Sequence, residues 1–562
     1  MISMENRQND QSAKFSMAPI GGSATIDQLP PDQLPLRFNI SQYLLDSNIG
    51  RGLGNKIAIY FEDRTLTYSE LSLAVNKLGN LLKSELGVDA EARVALLLFD
   101  CPKFVISFLA IIKIGAVAVP VSTMLDPEDY LYVLNDTQAR VLIVDEAFLD
   151  VILSMRPSLE YLKCIVVTRD RESAGQPQIS RDDCKIIGYR EAIEAQPNVL
   201  ETAKTHKNDA AFWVYTSGST GKPKAAIHLQ HDIYYAAFYL NQYFYNICAG
   251  DLLYSASKLF FSYGLGNSLW IPFFSGASAV LEKRRSTGEI FVSNIRKYRP
   301  TKVYAVPTIY KAAYDYLTAS GADAGACRSV ERYYSAGEPL SQSLYDKWLK
   351  LSSREILTVL GSTEALQGYV GATPGMGNAG CLGRVIPGYK AKIVDDTGQE
   401  VKPHGKGVLM IRGDSIASGY WNRPIESKKA FRGDWFYTGD MVYATEDGIL
   451  WYAGRNDEMF KIAGLWVSPV EIEEVLSAHP SVQESAVVSY GGAEGLVSMV
   501  AYIVSKQGAA AESEVEQSLR EFLQRRLPSY KCPRTMRFIR ELPRSSTGKL
   551  QRFKLKELHQ AT

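Results

Sequence analysis

The chain has 562 residues, 46% apolar and 22% charged, with 43 Gly and 24 Pro. Such a composition excludes a disordered, collagen-like or coiled-coil chain and leaves room for three to four domains, or one large α/β domain with a smaller one. Lys and Arg exceed Asp and Glu by one charge, so no overall field draws in nucleic acid or a membrane surface.

From the N-terminus, residues 1–28 are polar and lack an apolar h-region; a disordered leader is expected, not a signal peptide. Residues 94–98 read as a buried strand, 102–113 as a helix and 116–121 as a second strand, which together make one βαβ unit. The most apolar stretch, 105–119, is interrupted by Lys113 and Gly115 and falls short of the roughly 18 residues of a membrane span. Further apolar runs at 141–144, 165–167, 277–281, 302–306 and 356–360 alternate with helical patterns, as in parallel sheets covered on both faces. Between 390 and 412, apolar–polar alternation with interspersed glycines predicts a small antiparallel, barrel-like piece. After Arg455 the texture changes. Ser468 and Pro469 open a helix, strands are expected at 485–489 and 497–504, and an amphipathic helix at 512–526. The expected organisation is α/β: a leader (1–28), a large N-terminal domain with two parallel-type sheets (29–455), and an α+β lid (456–562). From Arg520 onward, twelve Lys or Arg face three Asp or Glu, a balance suited to polyphosphate. Seven scattered cysteines without a CxxC pair predict buried free thiols in a reducing cytoplasm and no zinc or disulfide framework.

The sharpest local signal is Tyr215-Thr216-Ser217-Gly218-Ser219-Thr220-Gly221-Lys222-Pro223-Lys224, fed by a strand at 211–215. Gly218 and Gly221 let backbone N–H groups converge. Thr216, Ser217, Ser219 and Thr220 add hydroxyls, and Lys222 and Lys224 add positive charge, which together suit an anionic oxygen. The spacing is not that of a Walker A loop.

This loop resembles the signature of the adenylate-forming ligases: acyl-CoA synthetases, carrier-protein adenylation domains and firefly-type luciferases. Five further segments resemble that family's motifs, in order: Ser335-Ala336-Gly337-Glu338-Pro339-Leu340, Gly361-Ser362-Thr363-Glu364, Tyr437-Thr438-Gly439-Asp440, Tyr452-Ala453-Gly454-Arg455-Asn456-Asp457-Glu458 and Pro543-Arg544-Ser545-Ser546-Thr547-Gly548-Lys549. The resemblance spans roughly residues 38–558 and implies a soluble enzyme using ATP, Mg²⁺ and coenzyme A. A carboxylate attacks the α-phosphate of ATP to give an acyl-adenylate and pyrophosphate; a thiol then displaces AMP. By the same resemblance Lys549 is the main catalytic cation, Thr363 donates to the α-phosphate, and Glu364 holds Mg²⁺. Gly337, Glu338 and Pro339 bind adenine, Asp440 accepts the ribose hydroxyls, and Arg455 adds a ribose or phosphate contact. Asp457 is the hinge about which the lid turns, and Gly464 and Lys461 border the CoA tunnel.

Residues 258–267, including Phe261, Ser262, Tyr263 and Gly264, resemble the pocket segment of benzoate–CoA ligases, with Gly337 and Gln367 completing the pocket. Benzoate ligases often carry Ala at the position of Ser262 and His at that of Gln367. Ser and Gln add hydrogen-bonding capacity, which points to a ring bearing an amino or hydroxyl group, with anthranilate or a hydroxybenzoate ahead of benzoate. Ala225 stands where many relatives have Gly. The chain ends thirteen residues after Lys549, so free CoA is the expected thiol, with Lys531 and Arg534 as further candidates for its phosphates. The alternative is a stand-alone enzyme loading a carrier-protein phosphopantetheine arm. A luciferase-like oxygenase and an inactive scaffold stand behind both. A monomer or homodimer is expected.

Overall fold

The computed structural model describes residues 29–169, 179–181, 184–216, 222–321, 323–376, 380–462, 465–491, 497–506, 512–544 and 550–560. The expected leader, residues 217–221, Gly464 and Lys549 lie outside them.

The βαβ unit is present: strand Arg93–Leu97, helix Pro102–Lys113 and strand Val117–Pro120, the two strands parallel. Pro102 starts the helix where no N–H is needed. Every residue from Phe104 to Lys113 is buried, as an all-round apolar helix requires; the ammonium of Lys113 is matched by Asp46 at 2.7 Å. Val141–Asp145, Cys164–Thr168 and Cys184–Gly188 extend the sheet on one side and Ala210–Thr216 on the other, all parallel. Antiparallel edges, Ile179–Arg181 and Lys224–Leu229, complete eight strands among the described residues.

A second sheet runs in parallel through Ile57–Phe61, Ser278–Leu281, Leu252–Ser255, Lys302–Ala305, Arg332–Ser335 and Ile356–Gly361. Helices Gly288–Tyr298, Pro307–Ser320 and Gln342–Ser352 cover one face, packing Phe291, Tyr310 and Trp348 on Val303 and Tyr333. The antiparallel strands expected near 390–412 form, and their pairing is continuous with this sheet through Gly368–Gly371, Cys381–Val385, Leu450–Arg455 and Trp435–Ala444. The loops that follow Leu252–Ser255, Lys302–Ala305, Arg332–Ser335 and Ile356–Gly361 all leave from carboxyl ends of parallel strands, the usual location of a ligand crevice in such sheets.

Beyond Arg455 a short hairpin, Phe460–Ile462 with Leu465–Val467, leads into a three-stranded sheet of Val482–Gly491, Val497–Ser505 and Thr535–Phe538. Helices Pro469–Ser477 and Glu512–Gln524 bury Ile472, Leu476, Val515, Leu519 and Leu523 against this sheet. The Ser468 hydroxyl accepts from the Glu471 N–H, as an N-cap should. No helix among the described residues is long and apolar enough to cross a membrane. Five cysteines are buried free thiols as expected; Cys248 is exposed, and Cys532 is half-buried against the edge of the C-terminal core.

Candidate active site

Strands Ala210–Thr216 and Lys224–Leu229 pair antiparallel with Thr216 opposite Lys224, so the glycine- and hydroxyl-rich segment is entered and left by neighbouring strands. Lys222 lies 3.9 Å from Asp129 and over the ring of Tyr132. Tyr215 donates to Asp136 at 2.7 Å, and Trp213 stacks on Trp421. The Ala225 methyl is buried beside Trp213.

The hairpin edge is extended by residues 417–421. Trp421 N donates to Ala225 O at 2.9 Å, and Ile227 N to Gly419 O at 3.0 Å. This places Tyr420 beneath Lys224, whose ammonium sits 4.5 Å from the ring centroid. The Tyr420 hydroxyl in turn donates to Glu364 Oε1 at 2.6 Å. A chain of contacts thus joins the phosphate-type hairpin to the Gly361-Ser362-Thr363-Glu364 segment, 140 residues on from Lys224 in sequence.

That segment opens the loop 362–367, closed at its base by pairing of Gly361 with Gly368. Ala417 N donates to Glu364 O at 2.7 Å, which fixes the backbone under the carboxylate. With Tyr420 on Oε1, the other oxygen is oriented but carries no partner among the described residues. No group of three or more His, Cys, Asp or Glu able to hold a metal occurs among them. A lone oriented carboxylate still fits Mg²⁺, which takes most of its ligands from phosphate oxygens and water.

Across from Thr363 is Ser262, hydroxyl to hydroxyl at 3.4 Å. Ser262 begins the short helix Ser262–Leu265 at the carboxyl end of Leu252–Ser255. The preceding loop is held by Asp100, whose two carboxylate oxygens accept from Leu259 N at 3.1 and 3.2 Å. Burial pushes this acid up to about 6 against the pull of the nearby Lys258. Gly264 has no room for a side chain: a Cβ would lie 2.0 Å from Lys258 O. Gly264→Ala is expected to destabilise the protein by about 1–3 kcal/mol through overpacking. Thermal unfolding checks it, with Gly250→Ala, where only Cys248 Sγ comes near at 3.7 Å, as the neutral control.

Gln367, 3% exposed, donates Nε2 to Asn267 Oδ1 at 3.3 Å. Tyr263 packs edge-on to Tyr304, centroids 6.4 Å apart, and burial raises its phenol well above its ordinary range. Phe261 is half-exposed and edge-on to Phe260. Gly337 adopts φ +85°, a conformation that glycine takes without strain. The carboxylate of Glu338 is engaged by Thr308, N–H at 3.2 Å and hydroxyl at 2.6 Å, so it caps the first turn of Pro307–Ser320; Gly337 and Pro339 beside it are exposed.

Asp440 and Arg455 face each other on paired strands, Arg455 Nη1 donating to Asp440 Oδ1 at 3.2 Å. Burial raises the Asp440 carboxyl, and the Arg455 cation opposes that shift. Glu364 adds a repulsion felt by Asp440, which places the two acids in one neighbourhood. Arg455 also reaches Thr438 O at 2.9 Å and Asp457 at 3.3 Å. Asp457 lies in the turn that follows Leu450–Arg455.

The structure therefore links Thr216 and Lys224 through Tyr420 to Glu364, sets Ser262 against Thr363, keeps Gln367 in the same loop, and places the Asp440–Arg455 pair near Glu364. Ser217, Gly218, Ser219, Thr220, Gly221, Gly464 and Lys549 fall outside the described residues, and so does the side chain of Lys461. Lys531, a CoA candidate, pairs instead with Glu471. Three contributors are not among the sequence-derived candidates: Tyr420, Asp100 and His228, which donates to the Thr363 carbonyl. His228 had one readable signal, its place four residues after Lys224 on the same face of a strand; the others come together only through tertiary packing.

Residues 48–421 match the model of the AMP-binding enzyme family, and residues 471–549 that of the AMP-binding enzyme C-terminal domain. The chain is 35% identical to a benzoate–CoA ligase of Thauera aromatica, covering 94% of this chain and 97% of that one. It is 33% identical to a 3-hydroxybenzoate–CoA/4-hydroxybenzoate–CoA ligase of the same organism, covering 95% and 99%. Among solved structures, the anthranilate–CoA ligase AuaEII in complex with anthranoyl-AMP superposes with a TM-score of 0.87 at 35% identity, over 95% of this chain and 100% of that one. With a family model spanning most of its length and relatives above 30% identity aligned over nearly all of it, the chain belongs to the AMP-binding enzymes, the adenylate-forming ligases.

Proposed function

We propose that this enzyme activates a substituted benzoate as aryl-AMP and transfers the aroyl group to coenzyme A. The observation that carries the reading is the joint placement of Ser262 and Gln367 beside Thr363 and Glu364. On this reading the first pair faces the ring and the second the phosphates, and one hydrogen-bond length separates Ser262 from Thr363.

In this reading Lys224, Thr216 and the hairpin tip cradle the phosphates, Asp440 accepts the ribose hydroxyls, and Thr363 donates to the α-phosphate. Glu364 would hold Mg²⁺, which when bound offsets charge on the phosphates. The carboxylate of the aryl acid approaches the α-phosphate beside Ser262, and Lys549 neutralises the two anions as they meet. The lid then turns about Asp457 to admit CoA near Gly464. The Arg455–Asp457 pair would strain with that motion, so Asp457→Pro is expected to slow aroyl transfer by about tenfold more than adenylation, because hinge positions absorb the backbone change. Single-turnover assays of each half-reaction measure the difference; equal losses contradict a hinge.

An amino or hydroxyl substituent is favoured over a bare ring. Asn267 Nδ2 and the Tyr263 hydroxyl are buried without a partner among the described residues, and Gln367 and Ser262 add two more polar groups. A site built to hydrogen-bond a substituent discriminates against its absence. CoA is favoured over a carrier-protein arm because the relatives named above are CoA ligases. The test is a panel of benzoate, the three hydroxybenzoates and 2-aminobenzoate with ATP and Mg²⁺, with and without CoA, following AMP and aroyl-CoA by mass spectrometry. Aroyl-CoA is expected, with kcat/KM for one substituted acid about tenfold above benzoate and a shift toward benzoate in Ser262→Ala/Gln367→His. Benzoate preferred tenfold by wild type and variant alike contradicts the substituent, and AMP release without aroyl-CoA contradicts the thiol.

A further inference from the structure

We infer that His228, backed by Asp232, is a positioning residue for adenylation: it holds the loop that carries Thr363 and Glu364 against the strand that leaves the phosphate hairpin. The inference rests on the adenylation reading above and adds a residue to it.

His228 and Asp232 are both fully buried. The imidazole lies flat on Phe212, its strand partner, with centroids 5.1 Å apart and planes 15° apart. Nε2 is 2.8 Å from Thr363 O, and Nδ1 is 2.8 Å from Asp232 Oδ2. A carbonyl only accepts, so Nε2 carries a hydrogen and donates it to Thr363 O. The carboxylate at Nδ1 fixes ring orientation, in the way a second partner orients an imidazole elsewhere. Asp232 Oδ2 is itself held by the Leu229 N–H at 3.1 Å, and His231 Nε2 lies 3.4 Å from Oδ1 without a hydrogen bond to it.

The Thr363 carbonyl is a demanding point in the loop. It also accepts from Leu366 N at 3.1 Å, and Leu366 has φ +70°, an outlying conformation for a bulky, fully buried side chain. Thr363, Glu364 and Gln367 all depend on that turn. Lys224, Ala226 and His228 share one face of their strand. Lys224 engages the loop through Tyr420 and Glu364, and His228 engages it directly through Thr363. One strand therefore sets phosphate-binding and loop geometry together. A substrate or metal ligand would have to be open to the crevice; the fully buried imidazole is instead tied to a backbone carbonyl, which assigns it to positioning.

The experiment compares His228→Leu, which removes the donor, with His228→Gln, whose amide nitrogen reaches nearly as far as Nε2. In His228→Leu, single-turnover aryl-AMP formation is expected to fall about 10²-fold, the scale of a small misplacement of reacting groups, while KM values and aroyl transfer from supplied aryl-AMP stay within about threefold. His228→Gln is expected to regain at least about tenfold of that loss at equal Tm, since a donor is restored. Equal impairment of both variants at wild-type Tm, or parallel loss of both half-reactions, overturns the inference. Should His228→Leu not fold, His228→Gln decides: adenylation within about thirtyfold of wild type supports positioning, and a larger loss at unchanged Tm overturns it. Failure of the adenylation reading shows in the wild-type enzyme, whereas failure of this inference shows only between variants.

Discussion

Lys549→Ala is expected to slow aryl-AMP formation by about 10²–10³-fold while aroyl transfer from preformed aryl-AMP to CoA stays within about threefold. Two negatively charged reactants meet only in the first half-reaction, so a cation aimed at the transferring phosphoryl group matters there and not in the second. The residues on either side of 545–549 are well anchored. Arg544 pairs with Leu550 across residues 545–549, and helix Arg552–Gln560 follows at once. Arg552 is pinned between Glu458, at 3.0 Å, and Glu473, with a further bond to Val487 O at 3.1 Å. Separate assays of the two half-reactions in the variant measure the asymmetry. Equal loss of both would place the role of Lys549 outside adenylation.

The second large effect is at the Asp440–Arg455 pair. Asp440→Ala is expected to lower kcat/KM for ATP by about 10–10²-fold, the value of one or two hydrogen bonds to a charged group. Asp440 is 8% exposed and meets Arg455 at 3.2 Å, so its carboxylate is already oriented before a ribose arrives. Arg455 keeps Thr438 O and Asp457 when Asp440 is removed, and the fold should survive the change. The diagnostic readout is 2′-deoxy-ATP. Wild type should discriminate against it, whereas in Asp440→Ala the ratio of kcat/KM for ATP and 2′-deoxy-ATP should approach one. Discrimination unchanged in the variant would remove Asp440 from the ribose site.

The apolar runs of the parallel sheets could be read from the chain because continuous burial leaves an unbroken Val/Ile/Leu signature, and Pro102 and Ser468 marked helix starts by their capping chemistry. The segments resembling family motifs singled out Thr363, Glu364, Asp440 and Arg455 as candidates, and in the fold Asp440 pairs with Arg455 in the neighbourhood of Glu364. What the chain could not give was the contacts between distant segments. Tyr420 sits under Lys224 because residues 417–421 add to a hairpin edge some 190 residues earlier, and nothing in their local pattern announces it. Asp100 reaches Leu259 from the other sheet for the same reason. Glu338 looked like a nucleotide contact from its motif, and its carboxylate turns out to cap the helix beginning at Pro307, an arrangement that needs two parallel strands side by side before it can be seen.

The most direct measurement is a crystal structure with the aryl-AMP of the best substrate bound. The ribose hydroxyls should lie within hydrogen-bond distance of Asp440, the phosphate oxygen on the Thr363 hydroxyl, and the ring between the Ser262–Leu265 helix and Gln367. An adenylate lodged away from that crevice, with Asp440 and Thr363 making no contact to it, would contradict the account.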